Sequence, residues 1–170
     1  MNKLNYDSDS EFEASLVYKL TLLGKSASSA PGMTRTEYRA ELSNRLFESL
    51  EEKPERAALV YQLPDWQTPK YQLIGDGLVV GRDPGTGHVL KLAGQELLSR
   101  THFRIQRDGD SFTLHDDGSR NGTFVNSDER RQTEYILKSA DFIYAGGVLF
   151  NFVADLPELT EPFDAESGDQ

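Results

Sequence analysis

Four short clusters between residues 81 and 146 carry side chains suited to holding an anion. They are Gly81-Arg82, Ser99-Arg100-Thr101-His102, Ser119-Arg120-Asn121-Gly122-Thr123, and a run from Leu137 through Asp141 to Gly146. Three of the four supply an arginine, a serine hydroxyl or an asparagine amide close to glycine. Such groups donate to anions, and glycine lets a backbone approach a ligand closely. A guanidinium grips two phosphate oxygens at once, whereas a lysine acts as a point charge.

The elements that must position these clusters are short and β-rich. From about residue 57 the runs AALVYQL, YQLIGDGLVVGR, HVLKL, HFRIQ, SFTLHD, GTFVN, DFIY and VLFNFVA alternate with Gly-, Asp-, Asn- and Pro-rich turns such as RDPGTG, RDGD and DDGSRNG. Strands at this spacing predict a β-sandwich or barrel. Each cluster falls at a strand end or in a turn, where loops from different strands can converge on a ligand.

The order Gly-Arg, Ser-x-x-His some 18 residues on, Ser-x-Asn-Gly-Thr, then Leu-x-x-x-Asp-x-Ile-x-x-Gly resembles the forkhead-associated (FHA) domain, over about residues 57–154. The resemblance implies an all-β, eleven-stranded β-sandwich that binds phosphothreonine peptides through loops at one end. It implies that Arg82 contacts the phosphate, that Ser99 bonds a phosphate oxygen, and that Arg100 helps hold phosphate or peptide. Asn121 would bond the peptide main chain, and Arg120 would line the phosphate or the threonine methyl pocket. His102 would tie neighbouring loops together. Gly81 and Gly122 would serve backbone geometry, and Thr123 would start the next strand. Two departures stand out: Ala140 replaces the usual glycine before Asp141, and the loop before Ser99, AGQELL, is longer and less polar than the commonest form.

Composition narrows the alternatives. Eighteen Lys and Arg against 28 Asp and Glu give a net charge of -10, which disfavours duplex nucleic acid and anionic membrane as partners. Local arginines still dominate a phosphate at short range, because the Debye length at physiological salt is about 8 Å. With no cysteine, disulfide scaffolds, thiolate zinc sites, Fe–S clusters and thiol chemistry are excluded. No apolar run approaches the length of a membrane helix, and the start MNKLNYDSDSEFE turns acidic where a signal peptide turns apolar. A soluble cytoplasmic protein is expected.

Plainer readings compete at single residues. Asn121-Gly122-Thr123 spells a glycosylation sequon, set aside without a secretory signal. Gly81–Gly87 lacks the Gly-Lys-Ser/Thr ending of a phosphate loop. Ser99 and His102 lack the Gly-x-Ser-x-Gly elbow of a hydrolase. His88 and His115 are lone histidines without a metal cluster, and Asp116-Asp117 lacks the bidentate Glu of a calcium loop. Arg104 and Arg107 are assigned to a solvent-facing strand side. Neither a metal nor a cofactor is expected.

Ahead of the sandwich, residues 1–33 read as a flexible acidic and Ser-rich segment, in which Phe12, Leu16, Val17, Leu20 and Leu23 allow a short helix over 10–23. Residues 34–56 form a helical extension: Thr34 and Glu37 fit a capping box, Tyr38, Leu42, Leu46 and Leu50 recur every four residues, and Pro54 follows. That face is expected to pack on the sandwich or on a partner. Residues 155–170 read as an acidic disordered tail. Thr21, Thr34 and Thr36 are candidates for a phosphorylated segment that folds back on the site, as in some small bacterial members of the family, whose threonine-rich motif is not matched. The whole reads as a non-enzymatic phosphothreonine-binding adaptor in Ser/Thr-kinase signalling of a bacterial type. The expected partner is a phosphothreonine-containing protein, such as a Ser/Thr kinase or its substrate. The runner-up is a phosphate-independent interaction sandwich with a vestigial site, and a third reading, an esterase-like enzyme, fails on the missing elbow.

Overall fold

A computed structural model describes residues 35–154 apart from 64 and 127–129, with side chains from Arg39 onward. The 10–23 helix, Thr21, Thr34, the Thr36 and Tyr38 side chains and the 155–170 tail therefore lie outside the described residues. Helix α1 (Arg35–Glu48) precedes ten strands: β1 (Ala58–Tyr61), β2 (Lys70–Leu73), β3 (Gly77–Gly81), β4 (Val89–Lys91), β5 (Phe103–Asp108), β6 (Ser111–Asp116), β7 (Thr123–Val125), β8 (Glu134–Ile136), β9 (Phe142–Ala145) and β10 (Val148–Val153). They form two five-stranded sheets, ordered β2-β1-β10-β9-β7 and β4-β3-β5-β6-β8. The all-β sandwich is as expected, with one strand fewer than eleven among the described residues. β8 was not anticipated, because EYI is too short and too polar in its surroundings to show a period.

Burial patterns explain the strand sequences. β5 and β6 face water on one side, so Phe103 and Ile105 alternate with polar residues, as do Phe112 and Leu114. β1 and β10 are buried at every position, because the opposite sheet covers one face and α1 the other. Leu59, Phe150 and Phe152 enter the inter-sheet core with Phe103 and Ile143. Ala58, Val60, Leu149 and Val153 point outward against Leu42, Leu46, Phe47 and Leu50 of the helical segment. A helix of 14 residues is marginal alone. Burying each of those side chains contributes about 1.5–3 kcal/mol, and that decides its stability.

The helix ends at Glu48, several residues before Pro54. The chain must turn there to sink Leu50 into the core and feed β1. Ser49 N–H is shared between the Arg45 and Leu46 carbonyls, at 3.1 and 3.0 Å, and Leu50 N–H bonds Phe47 O at 3.1 Å. Lys53 Nζ caps Leu50 O at 3.0 Å, so the stop comes before Pro54 is reached.

One polar link crosses the helix–sheet interface. Ser43 Oγ donates to Asn151 Oδ1 at 2.6 Å, and both residues are buried. Asn151 Nδ2 donates to the Ala140 and Asp141 carbonyls at 3.2 and 3.1 Å, which fixes the turn before β9. Ala140 sits in that turn at φ +82°, a left-handed conformation that L side chains resist. This accounts for the glycine expected there. Among the described residues no helix is long and apolar enough to cross a membrane.

Two stability changes follow. Ser43→Ala leaves Asn151 Oδ1 buried without its donor and should cost about 1–3 kcal/mol in urea denaturation. Ala140→Gly should raise stability by about 0.5–1 kcal/mol, the relief of φ strain outweighing the added chain entropy. An unchanged denaturation midpoint in either variant would contradict the corresponding assignment.

Candidate functional site

Strand register brings three loops to one rim. β3 pairs parallel with β4 and antiparallel with β5, and β5 pairs antiparallel with β6. The end of β3, the start of β5 and the end of β6 therefore lie side by side, and with them the loops holding Arg82, Ser99–His102 and Ser119–Gly122. Backbone bonds stitch these loops: Arg82 N–H to Ser99 O at 2.9 Å, Asp83 N–H to Arg100 O at 3.1 Å, and Asp117 N–H to His102 O at 3.0 Å. Gly81 has no room for a side chain, since a Cβ there would overlap the Arg100 carbonyl.

His102 joins the last two loops and has no exposed surface. Its Nδ1 accepts from Ser99 N–H at 3.0 Å, while Nε2 lies 2.9 Å from the Gly122 carbonyl. A carbonyl only accepts, so the ring is the neutral Nε2–H tautomer. Burial lowers its pKa; the bond to the Gly122 carbonyl and the Asp116 charge pull it up, and Arg131 adds to the lowering. Gly122, at φ +89°, supplies the backbone turn that aims this carbonyl inward.

A second anchor was not singled out from the sequence. Asp116 Oδ2 accepts from Ser119 Oγ and Thr123 Oγ1, each at 2.6 Å, and Oδ1 accepts from Ser119 N–H at 2.8 Å. Ser119 Oγ in turn accepts from Gly122 N–H at 2.9 Å. Burial pushes the Asp116 carboxyl up, but the hydroxyl and amide donors outweigh it and hold its pKa below the usual value. Arg131 Nη2 donates to Arg120 O at 2.7 Å and braces the same loop. The spacing Asp-x-x-Ser-x-x-x-Thr was the available signal, hidden because Asp116-Asp117 also reads as an ordinary turn.

The five predicted binding residues come together. Arg82, Ser99, Arg100, Arg120 and Asn121 line one cleft of about 230 Å³, completed by Glu96, Leu97 and Leu98. Arg82 Nε donates to Leu98 O at 3.1 Å, which fixes the guanidinium and leaves its two Nη groups for a ligand. Ser99 Oγ accepts from Arg120 N–H at 3.0 Å, so its own proton can be donated outward. Asn121 Nδ2 donates to Leu97 O at 2.9 Å, which leaves Oδ1 to accept from a peptide N–H. Arg100 and Arg120 are exposed. Three guanidiniums against the single carboxylate of Glu96 make the cleft cationic in an acidic chain. Gly81, His102, Gly122 and Thr123 sit behind it as structural residues. Among the described residues no group of three His, Asp or Glu side chains is placed to hold a metal ion.

Fold and site together place a cationic cleft at one rim of a two-sheet sandwich. Residues 78–146 match the family model described as the FHA domain. FHA domains are phosphothreonine-binding interaction modules and not enzymes. No curated protein matches the chain. Among solved structures it is similar to the FhaA FHA domain, solved in complex with the intracellular domain of Rv3910, at 27% identity over 56% of this chain and 98% of that one, with a TM-score of 0.46. It is similar to the FHA domain of the CT664 protein from Chlamydia trachomatis at 25% identity, over 60% of this chain and 100% of that one, with a TM-score of 0.47. It is also similar to the FHA domain of an Arabidopsis thaliana hypothetical protein at 25% identity, over 58% and 84%, with a TM-score of 0.48.

The His102 geometry is open to a direct check. In folded protein, ¹⁵N NMR should report the Nε2–H tautomer and a titration midpoint below the ordinary histidine value of about 6.5. Because the folded pKa is depressed, the unfolded chain takes up the proton first. This contribution to stability is therefore complete above about pH 6.5 and is lost as pH falls through the folded pKa. A midpoint at or above 6.5 would contradict the buried neutral ring.

Proposed function

We propose that this chain is a phosphothreonine-peptide-binding adaptor in Ser/Thr-kinase signalling. In this reading residues 57–154 are the module and 34–56 a helical extension packed on it. The single observation that carries the reading is the convergence of Arg82, Ser99, Arg100, Arg120 and Asn121 on one cleft, each with donor or acceptor capacity left over. A phosphothreonine brings a charge of about -1.5 to -2 and three acceptor oxygens. Arg82 Nη groups and the Ser99 hydroxyl bind those oxygens, and Arg100 adds a second guanidinium. Asn121 Oδ1 accepts from the peptide main chain and sets its direction. Arg120 lines the phosphate or methyl pocket.

Each hydrogen bond to a charged group is worth about 1.5–3 kcal/mol net, so two or three supply most of a modest peptide affinity. The threonine γ-methyl adds about 0.8 kcal/mol if buried, a several-fold preference over serine. The role that follows is delivery of a phosphorylated protein, a kinase or its substrate, to an assembly.

Titration of matched phosphothreonine, phosphoserine and unphosphorylated peptides tests this. Phosphothreonine should bind several-fold tighter than phosphoserine, and the unphosphorylated peptide should not bind measurably. Arg82→Ala should weaken phosphopeptide binding by about ten- to a hundred-fold while the protein keeps its circular dichroism spectrum. Phosphopeptide binding left intact by Arg82→Ala would remove the site assignment.

A further inference from the structure

The end of the sandwich opposite the Arg82 cleft also carries positive charge. β3 runs from Gly77 to Gly81 and β5 returns from Phe103 to Asp108, so Asp76 and Arg107 lie at the far rim. There Arg56, His88 and Arg107 line a second cavity of about 330 Å³, whose one carboxylate is Asp76. Backbone bonds hold its walls: Arg107 N–H donates to Asp76 O and Ile74 N–H to Ala57 O, each at 3.0 Å. His88 Nε2 lies 2.8 Å from the Leu73 carbonyl. Arg107 Nε donates to Gly109 O at 2.8 Å and its guanidinium lies 5.5 Å from the Phe112 ring centroid, which leaves both Nη groups for a ligand. Both Arg56 and Arg107 are exposed, and among the described residues neither is in an ion pair.

The chain leaves the sandwich at this same rim. Val153, the last residue of β10, pairs with Ala58, two residues after Arg56, and Ala57 and Ala154 both pack against the inter-sheet core. Beyond Ala154 the sequence is DLPELTEPFDAESGDQ, with six carboxylates and no Lys, Arg or His. An extended chain advances about 3.3–3.6 Å per residue, so Asp155 and Glu158 reach the cavity without leaving the rim. Exposed ion pairs are weak one at a time, and tethering through Ala154 is what lets two or three of them hold together. β5 spans six residues, about 20 Å at the strand rise. That exceeds two Debye lengths, so carboxylates held at the far rim neither oppose the Arg82 cleft nor occupy it.

We infer that residues 155–170 dock through their carboxylates on Arg56 and Arg107, so that the chain stows its acidic segment at the rim away from its cationic cleft. Docking offsets the charge of the cavity and leaves the cleft cationic. The inference does not depend on what the cleft binds.

The absence of cysteine makes the test clean: Ala165→Cys in the full chain takes a single nitroxide label without changing any charge. Paramagnetic broadening is then read at the Gly75, His88 and Arg107 amides of the cavity and at the Ser99 and Arg120 amides of the cleft. The cavity amides should broaden and the cleft amides should not. Attachment at Ala154 alone brings the label near the far rim, so the decisive comparison removes the charges and keeps the tether. Arg56→Gln with Arg107→Gln should reduce the cavity broadening by at least about two-fold, as should about 1 M NaCl, where the Debye length is about 3 Å. Asp155→Asn, Glu158→Gln and Glu161→Gln together should do the same, and this variant keeps the test decisive if the arginine pair disturbs folding. Strongest broadening at the cleft overturns the inference. A cavity pattern indifferent to salt or to either set of substitutions also overturns it, and leaves the cavity to a separate anionic partner.

Discussion

His102 stands wholly buried between two loops that must meet, accepting at one ring nitrogen and donating at the other, which only an uncharged imidazole can do. Through Ser99 N–H it fixes the loop that carries the serine hydroxyl and Arg100. Through the Gly122 carbonyl it fixes the loop that carries Arg120 and Asn121. Without it the two loops still share the bond from Arg120 N–H to Ser99 Oγ. That bond spends acceptor capacity of the hydroxyl proposed to donate to the ligand, so it cannot substitute for a support behind the rim. The cost of burying an imidazole is offset by using both nitrogens, and the same burial keeps the ring neutral.

The support extends behind the histidine. The Asp116 carboxylate gathers Ser119 and Thr123, so the Arg120–Asn121 loop is braced at its base before a ligand arrives. Arg82 is fixed by its Nε to a backbone carbonyl, and the packing of the Gly146 turn on Leu98 keeps that carbonyl in place. The turn belongs to the sheet that α1 covers, and Asn151 ties the helix to the turn before β9. The helix therefore forms the outer wall of the sheet that backs the rim. Rigid scaffolding of this kind reduces the entropy lost when mobile arginines and a flexible peptide come together.

Much of this was legible from residues alone, for physical reasons. Strands with one wet face announce themselves by alternation, as β5 and β6 do, and glycine-rich turns mark their ends. Side chains at those turns could be predicted to converge because loops at one end of a sandwich have few other places to go. β1 and β10 were readable as strands, but their continuous apolar character did not say that a helix from the same chain covers the second face. The helix end was misread because Pro54 is a strong local stop, whereas the turn after Glu48 answers to Leu50 burial and the route into β1. Asp116 was passed over because an Asp-Asp-Gly run looks the same whether its carboxylate faces water or three donors. The strain at Ala140 needed a dihedral angle to become visible, and the resemblance had flagged only the missing glycine.

The remaining tension is between a chain of net charge -10 and a cationic cleft proposed to hold a dianion. At long range the protein repels a phosphopeptide, and screening confines that repulsion to roughly a Debye length. Within the cleft the distances are those of hydrogen bonds, where oriented donors dominate a diffuse opposing field. A basic surface would raise encounter rates with any polyanion, including nucleic acid, and would blur recognition. An acidic surface with one cationic cleft does the opposite. In the proposed reading it withholds general electrostatic attraction and leaves affinity to groups that must be matched one by one: the Nη pair of Arg82, the hydroxyl of Ser99, the amide of Asn121.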